Sequence, residues 1–244
     1  MWTTDWTGPG LRTSARRMLA IPTLAVLVAG CSVTQKAAVK DPHECVFLRP
    51  IVCAQLAPGS SGQLGMRYVN PAAQWKQYDK IMVLPITFWG SDTAGLSPSD
   101  RQALANYFYS TLVQHLGTKF AIVDQSTRGV MRLQVAITDA ESATPVLRTV
   151  SMVVRQTRAL NTLKYLATGT YAFVGSAQAE AELSDAMTGQ VLAAAMDRRV
   201  GGGSLETAAQ WNMGDAQNAM DHWAQFVTDR LSSWTSGAAT PGGQ

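Results

Sequence analysis

The chain has 244 residues, 46% of them hydrophobic and 15% charged, with 20 basic and 17 acidic residues and a formal net charge of +3. This length suits one domain with a full core and is short for two. The near-neutral balance excludes the dense basic surface that nucleic-acid binding requires, so we expect no nucleic-acid partner.

The N-terminus has the layout of a bacterial lipoprotein signal peptide, residues 1–30. Three arginines precede an apolar run over residues 18–30, which closes as Leu-Val-Ala-Gly directly before Cys31. A cationic segment, an apolar segment and then small residues are typical of a cleaved export signal. The pattern predicts cleavage between Gly30 and Cys31 and attachment of diacylglyceryl and fatty acyl chains, such as palmitate, to Cys31. Several such chains hold a protein on a membrane far better than one does.

The alternatives for this run are a buried helix or an uncleaved membrane span. A span needs about 20 apolar residues, whereas residues 18–30 are fewer and include Pro22. Ser32 directly follows the lipidated position, and in a bacterium with two membranes this favours sorting to the outer one. The sequence therefore predicts a membrane partner reached through acylated Cys31, on the periplasmic face of the outer membrane.

A pair of cysteines, Cys45 and Cys53, remains in the mature chain once the lipidated position is set aside. An even pair in an oxidising compartment is most simply a disulfide. Two alternatives stay open: free thiols, or a metal site that adds His43 and Glu44, although such sites usually have a tighter cysteine spacing. Residues 31–66 are interpreted as a lipidated tether that carries this loop.

The globular domain is predicted over residues 67–235. An apolar strand over residues 80–88 contains Pro85, which cannot donate to a ladder and so lies at an edge or a bulge. Ser97 is a helix N-cap and Gly117 ends that helix. Further strands are predicted over residues 120–124, 131–138, 175–185 and 190–200.

The remaining predicted elements complete an α+β domain. Residues 146–168 are interpreted as an extended piece followed by a helix, and residues 205–234 as the last helix. Residues 236–244 are expected to be a disordered tail. The expected architecture is a mostly antiparallel sheet of about five strands with two or three helices packed on it.

The hairpin formed by the last two strands is predicted to carry charged side chains on one outward face, across from small alanines. These residues are Glu180, Glu182, Asp197 and Arg199. Our hypothesis is that they form a partner-binding face. The alternatives are a solvated face with weak surface ion pairs, or a face covered by the central helix through Arg155 or Arg158.

The sequence contains no recognisable catalytic motif. His43, His115 and His222 are scattered, without a zinc-protease motif. Residues 59–62 lack the spacing of a nucleophile elbow, and residues 201–203 lack the lysine of a phosphate-binding loop. We predict no catalytic residue, no metal and no cofactor. The tryptophans at positions 75, 89, 211, 223 and 234 are interpreted as core residues rather than sugar-binding platforms.

Several motifs resemble a known bacterial family. They are Tyr68-Val69-Asn70-Pro71, Trp75, Tyr78 to Pro85, Gly175-Ser176-Ala177, Glu180-Ala181-Glu182, Asp185, Thr188-Gly189 and Ala193 to Arg199. Together they are similar to the lipoprotein family known as domain of unknown function 3313, over roughly residues 60–235. Leu84 departs from the acidic residue that often precedes the proline there. The resemblance implies an exported, lipid-anchored protein and no established activity.

Two classes of function follow from the sequence. We favour a non-catalytic envelope lipoprotein whose sheet edge near Pro85, or whose acidic face, docks an envelope protein or a cell-wall component. The alternative is an envelope hydrolase or small-ligand carrier with a pocket between sheet and helices. The sequence gives no indication of an oligomeric state.

Overall fold

The computed structural model describes residues 34–90, 96–141, 175–201 and 214–241. All of them belong to one compact unit. Within these residues the fold is α+β, with a mixed sheet of nine strands and three α-helices. The predicted fold class is confirmed. The expectation of about five, mostly antiparallel strands is wrong, because several strands of two to four residues at the sides of the sheet are too short to show a periodic pattern.

The strands are β1 Thr34–Ala37, β2 Ala57–Pro58, β3 Met66–Val69, β4 Lys80–Val83, β5 Thr87–Phe88, β6 Ala121–Ile122, β7 Val130–Glu141, β8 Ser176–Asp185 and β9 Val191–Gly201. The helices are α1 Pro50–Cys53, α2 Pro98–Leu116 and α3 Gly214–Ser236, with a 3-10 turn at Trp75–Gln77.

Three long antiparallel strands, β7, β8 and β9, form the centre of the sheet. The free side of β9 pairs with β3 and then β1, both antiparallel. The free side of β7 pairs with β4 and then β5, both parallel. Strand β6 pairs with β4 on the side away from β7, and the two strands are parallel. Parallel strands need a crossover connection, which α2 supplies.

Helix α2 begins and ends where its sequence predicts. The Ser97 hydroxyl oxygen accepts the backbone N–H of Asp100 at 3.1 Å, and Gly117 is the C-cap. Side chains spaced by four residues form the buried stripe that faces the sheet: Leu104, Phe108, Leu112 and Leu116. Burial of this stripe, rather than the propensity of an isolated helix, stabilises α2.

Helix α3 covers the same face of the sheet beside α2. Its stripe includes Trp223, packed 5.7 Å from the Phe108 ring, and Trp234, packed 4.7 Å from Trp75. These three tryptophans are buried, as a core role requires. Trp89 differs, with 52% of its surface exposed, and Trp211 lies outside the described residues.

Pro85 interrupts the predicted strand over residues 80–88. It separates β4 from β5, and the chain rejoins the ladder of β7 on either side of it. The C-terminus is more ordered than expected: α3 continues to Ser236, Gly237 takes a positive φ of 77°, and the Ala239 N–H donates to the Ser233 carbonyl. The expectation of disorder from residue 236 is therefore wrong as far as residue 241.

Residues 34–66, which we interpreted as a tether, are instead part of the folded domain. Strand β1 pairs with β9, and buried Leu48 and Val52, the second of them in α1, pack on Ala194 of β9. Side chains of the distant strand β8 hold this stretch by hydrogen bonds, which a reading of its own residues does not reveal. The predicted elements over residues 146–168 and 205–213 lie outside the described residues. Among the helices that are described, none has the length and apolar character to cross a membrane.

Candidate functional site

A β-bulge between β8 and β9 decides which side chains share a face of the sheet. Leu183 pairs with Ala193, whereas Ser184 pairs with Val191, so Leu192 is an extra residue in β9. One extra residue reverses the in-and-out alternation of everything beyond it. Cross-strand partners lie on the same face of an antiparallel pair.

The predicted charged face is therefore wrong in one respect: its four residues lie on two opposite faces. Glu180 pairs with Met196, and Asp197 pairs with Ala179. Glu180 and Glu182 point away from the helices, while Asp197 and Arg199 lie on the side covered by α2 and α3. Without the bulge at Leu192, all four would have shared a face. Arg155 and Arg158, the other expected partners, lie outside the described residues.

Residues 34–58, which we call the strap, run from β1 to β2, and their middle part covers the face that carries Glu180. Glu180 is fully buried. Its carboxylate accepts three consecutive backbone N–H groups, from Val46 at 2.9 Å, Phe47 at 2.9 Å and Leu48 at 2.8 Å. Successive N–H groups that converge in this way form an anion-binding concavity. Here the anion is a side chain of the same protein, so Glu180 is a structural clamp.

The neighbours of Glu180 on β8 hold the strap at two more points. The Gln178 side-chain oxygen accepts the Lys40 backbone N–H at 2.7 Å, and Glu182 forms an ion pair with Arg49 at 3.1 Å. Lys40 also forms an ion pair with Asp139 at 2.7 Å. The face predicted to dock a partner is thus largely occupied by the chain's own strap.

Cys45 and Cys53 form a disulfide within the strap, with Cα atoms 5.9 Å apart. The predicted disulfide is confirmed, and the two sulfurs are therefore not available as thiolate ligands. His43 and Glu44 are exposed nearby. Across the described ranges, no group of three or more histidine, cysteine or acidic residues is placed to hold a metal ion.

On the opposite face, Asp197 forms the centre of a buried polar cluster. Its carboxylate accepts the Gly65 N–H at 2.6 Å and the indole N–H of Trp223 at 2.7 Å. Burial raises the pKa of Asp197, and these two donors with the nearby Arg199 partly offset the increase. Arg199 lies 3.9 Å from this carboxylate and donates to the Thr34 carbonyl at 3.2 Å. The cluster ties β1, β3, β9 and α3 together.

The described histidines do not converge on a catalytic site. His222 is half-buried on α3, where burial and then Arg199 lower its pKa to about 4. Its ring stacks on Phe226 at 6.1 Å. His115 lies in the last turn of α2, and His43 lies on the strap. A neutral, stacked His222 is a packing residue in this structure.

An open apolar cleft lies between the sheet and α3, with a volume of about 90 Å³. We call it the alanine cleft because its floor is formed by small residues of β8 and β9: Ala181, Ala193 and Ala195. The α3 wall is Phe226, Val227 and Leu231, and Arg67 and Arg230 lie at its margin. A smaller cavity of about 40 Å³ adjoins it and shares Leu64, Leu133 and Val227.

The cleft exists because its floor is built from alanines. Ala181, Ala193 and Ala195 lie on the helix-covered face yet remain partly exposed. Larger side chains at these positions would fill the space against Val227. The bulge at Leu192 brings the alanines of β9 to the same face as Ala181. The alternating alanines of β8 and β9 are visible in the sequence. Only the register of the two strands shows that these alanines lie side by side on one face.

The margin of the cleft is cationic. The Arg230 guanidinium lies 5.1 Å from the Phe226 ring centroid and donates to the Gly62 carbonyl at 3.4 Å. Arg67 of β3 lines the same cavity. The cleft can bind a narrow apolar group, and the two arginines at its margin favour acidic groups on either side of it. Arginine is not an acid–base catalyst, because its guanidinium stays protonated.

The fold and the cleft define an α+β domain with an apolar site between a mixed sheet and a long C-terminal helix. A family model described as a protein of unknown function, domain of unknown function 3313, matches residues 47–227. The chain belongs to this family, as its motifs predicted. No curated protein matches it.

Solved structures show distant likenesses. PelC from Paraburkholderia phytofirmans, solved as a dodecamer of a variant, has 15% identity and a TM-score of 0.39, covering 66% of this chain and 94% of that one. Protein XCC0632 from Xanthomonas campestris has 11% identity and a TM-score of 0.40, with coverage of 70% and 95%. Lipoprotein GNA1162 from Neisseria meningitidis has 13% identity and a TM-score of 0.30, with coverage of 63% and 98%.

Proposed function

We propose that this protein is a lipid-anchored envelope protein, held by Cys31 on the periplasmic face of the outer membrane, that docks another envelope protein. The alanine cleft is the docking site, and an apolar anchor of the partner fills it. The observation that carries this proposal is the open, alanine-floored cavity of about 90 Å³ between β9 and α3. The lipid anchor is supported by the signal pattern that ends at Cys31.

The lining of the cleft supports binding rather than catalysis. Among the described residues that line it, Arg67 and Arg230 are the ionisable ones. Neither supplies a nucleophile or a general base. Apolar walls with a few polar groups at the margin are typical of sites that recognise shape and burial. The hydrolase alternative has no acid–base pair in this cavity.

The size of the cleft supports a protein segment as its occupant. Small-molecule sites typically measure about 300–1,000 Å³, well above the 90 Å³ found here. One or two inserted side chains of a partner need less room, and such anchors dominate the energy of protein interfaces. The apolar floor is a poor match for a polar cell-wall polymer. Arg67 and Arg230 favour acidic residues beside the anchor.

Site-specific photocross-linking in native envelopes tests the docking site. Phe226 is replaced by a benzoyl-phenylalanine, which keeps an aromatic ring at the cleft wall, and Tyr109 on α2 receives the same replacement as a control. We expect a discrete protein adduct from position 226 and not from position 109. Filling the floor with Ala193→Leu should abolish that adduct. An adduct that survives Ala193→Leu, or none at all, contradicts the proposal.

A second candidate is a carrier of a small apolar ligand. The adjoining cavity favours it, because Leu64, Leu133 and Val227 line both spaces, which places a second apolar cavity beside the cleft. A single unbranched hydrocarbon chain is narrow enough for such small cavities. In the same cross-linking experiment, an adduct whose added mass is that of a fatty acyl lipid supports this candidate instead of the first.

A further inference from the structure

The strap begins almost at the lipid anchor. Only Ser32 and Val33 separate Cys31 from Thr34, the first residue of β1. A fully extended chain covers at most about 11 Å between these two Cα positions. Thr34 itself is buried, and its hydroxyl donates to the Val200 carbonyl at 3.0 Å. The membrane connection is therefore short and ends at a fixed point of the sheet.

The strap has no slack that would lengthen this connection. Lys36 donates to the carbonyls of Gly59 and Leu64 at 3.4 Å each. Beyond β1, Gln178 and Glu180 bind the strap backbone directly. Releasing the strap would break these hydrogen bonds and expose the buried side chains of Leu48 and Val52 to water, which is unfavourable. The domain is consequently held close to the surface that carries the acyl chains.

The outer side of the strap carries exposed apolar side chains beside the exposed Arg49. The disulfide-closed loop, residues 45–53, carries Val46 at 52% exposure and Ile51 at 70% exposure. Trp89 is 52% exposed, and its ring contacts Phe47 of the same loop with centroids 5.9 Å apart. An exposed indole packed against a loop that also exposes two aliphatic side chains is an apolar feature of the kind that marks an interaction surface.

We propose that the loop 45–53 and Trp89 form the surface on which this domain rests against the bilayer. This inference depends on the lipidation of Cys31 proposed above. The occupant is the lipid surface because only Ser32 and Val33 lie between the proposed lipid anchor at Cys31 and the start of the strap at Thr34. Tryptophan favours the headgroup level of a membrane, and exposed aliphatic groups gain about 0.8 kcal/mol for each methylene they bury in lipid.

Quenching by brominated lipids tests this surface. The purified full-length lipidated protein is placed in vesicles of phosphatidylethanolamine and phosphatidylglycerol, with and without dibromo-phosphatidylcholine. The difference in emission between wild type and Trp89→Phe isolates Trp89. We expect bromolipid to remove most of this difference emission. A matched variant, Trp75→Phe, isolates a buried core ring whose emission should be unaffected.

Two further measurements make the outcome decisive. A flexible glycine-serine insert after Val33 lengthens the connection and should restore most of the Trp89 emission. The same insert at Gly189, in the β8–β9 hairpin loop, should leave the quenching unchanged. Unquenched Trp89 in the lipidated wild type overturns the inference, as does quenching that the first insert leaves intact. Mass spectrometry of the N-terminus decides separately whether Cys31 is acylated, so failure of the anchor is distinguished from failure of the docking surface.

Discussion

The Oε2 atom of Glu180 accepts the backbone N–H of Leu48 at 2.8 Å, across 132 positions of the chain. This contact joins the strap to the central strand of the sheet. It also holds the disulfide-closed loop against the sheet, because Leu48 lies between Cys45 and Cys53. The buried Glu180 carboxylate thus holds the strap on the face of the sheet opposite the alanine cleft.

Replacing Glu180 by Gln should destabilise the domain by about 2–4 kcal/mol, because three N–H donors lose a charged acceptor and one meets an amide N–H₂ group. The free energy of unfolding in urea, measured by far-UV circular dichroism, checks this. Glu182→Gln is the matched control on the same strand. In the ion pair of Glu182 with Arg49, the arginine side chain is 59% exposed. We therefore expect the free energy of unfolding to fall by less than about 1 kcal/mol. Equal losses from the two variants would contradict the clamp role of Glu180.

Removal of the Cys45–Cys53 disulfide should lower the free energy of unfolding by about 2–3 kcal/mol, because the short loop is no longer closed in the unfolded chain. The double variant Cys45→Ser/Cys53→Ser should show this loss by urea denaturation. Wild type with a reductant should match the variant, and the variant should not respond to the reductant. A reductant effect of equal size on both proteins would contradict the assignment.

Replacing Trp223 by Phe should destabilise the domain by about 1–3 kcal/mol beyond the loss of ring packing, because the Asp197 carboxylate then lacks its indole donor. Trp75→Phe is the control. The indole N–H of Trp75 is buried without a hydrogen-bond partner in the described part of the chain, so its removal leaves no acceptor unpaired. The difference between the two unfolding free energies, with Asp197→Asn completing a double-mutant cycle, measures the contact. Additive effects of Trp223→Phe and Asp197→Asn would rule out a direct coupling.

Acidification should destabilise the domain through His222. Its folded-state pKa is about 4, below its ordinary value of 6.5, chiefly because of burial. Between pH 6.5 and 4 the unfolded chain binds the proton and the folded domain does not, so stability falls as pH falls. The pKa of Asp197 is raised in the folded state, so its protonation stabilises the domain as pH falls and opposes the effect of His222. Urea midpoints at a series of pH values should fall less steeply for His222→Gln than for wild type. Parallel curves for the two proteins would exclude this role for His222.

Local chemistry in the sequence was sufficient for several elements. The Ser97 cap, the four-residue spacing of Leu104 to Leu116 and Gly117 define α2, because capping and amphipathic spacing act within one or two turns. The alternation of β7 and β8 is likewise local. The even pair Cys45 and Cys53 predicted the disulfide that the structure has, because the export signal implies an oxidising compartment.

What the sequence alone determined is therefore short in range: helix ends, strand alternation, the cysteine pair and the family motifs. Tertiary structure decided two features that matter more for function. The bulge at Leu192 separates Glu180 from Asp197 and brings Ala181 beside Ala195, since one extra residue reverses a strand's faces. The strap folds onto the sheet because acceptors more than a hundred residues away satisfy its N–H groups. No pattern within the strap encodes a partner so distant in the chain.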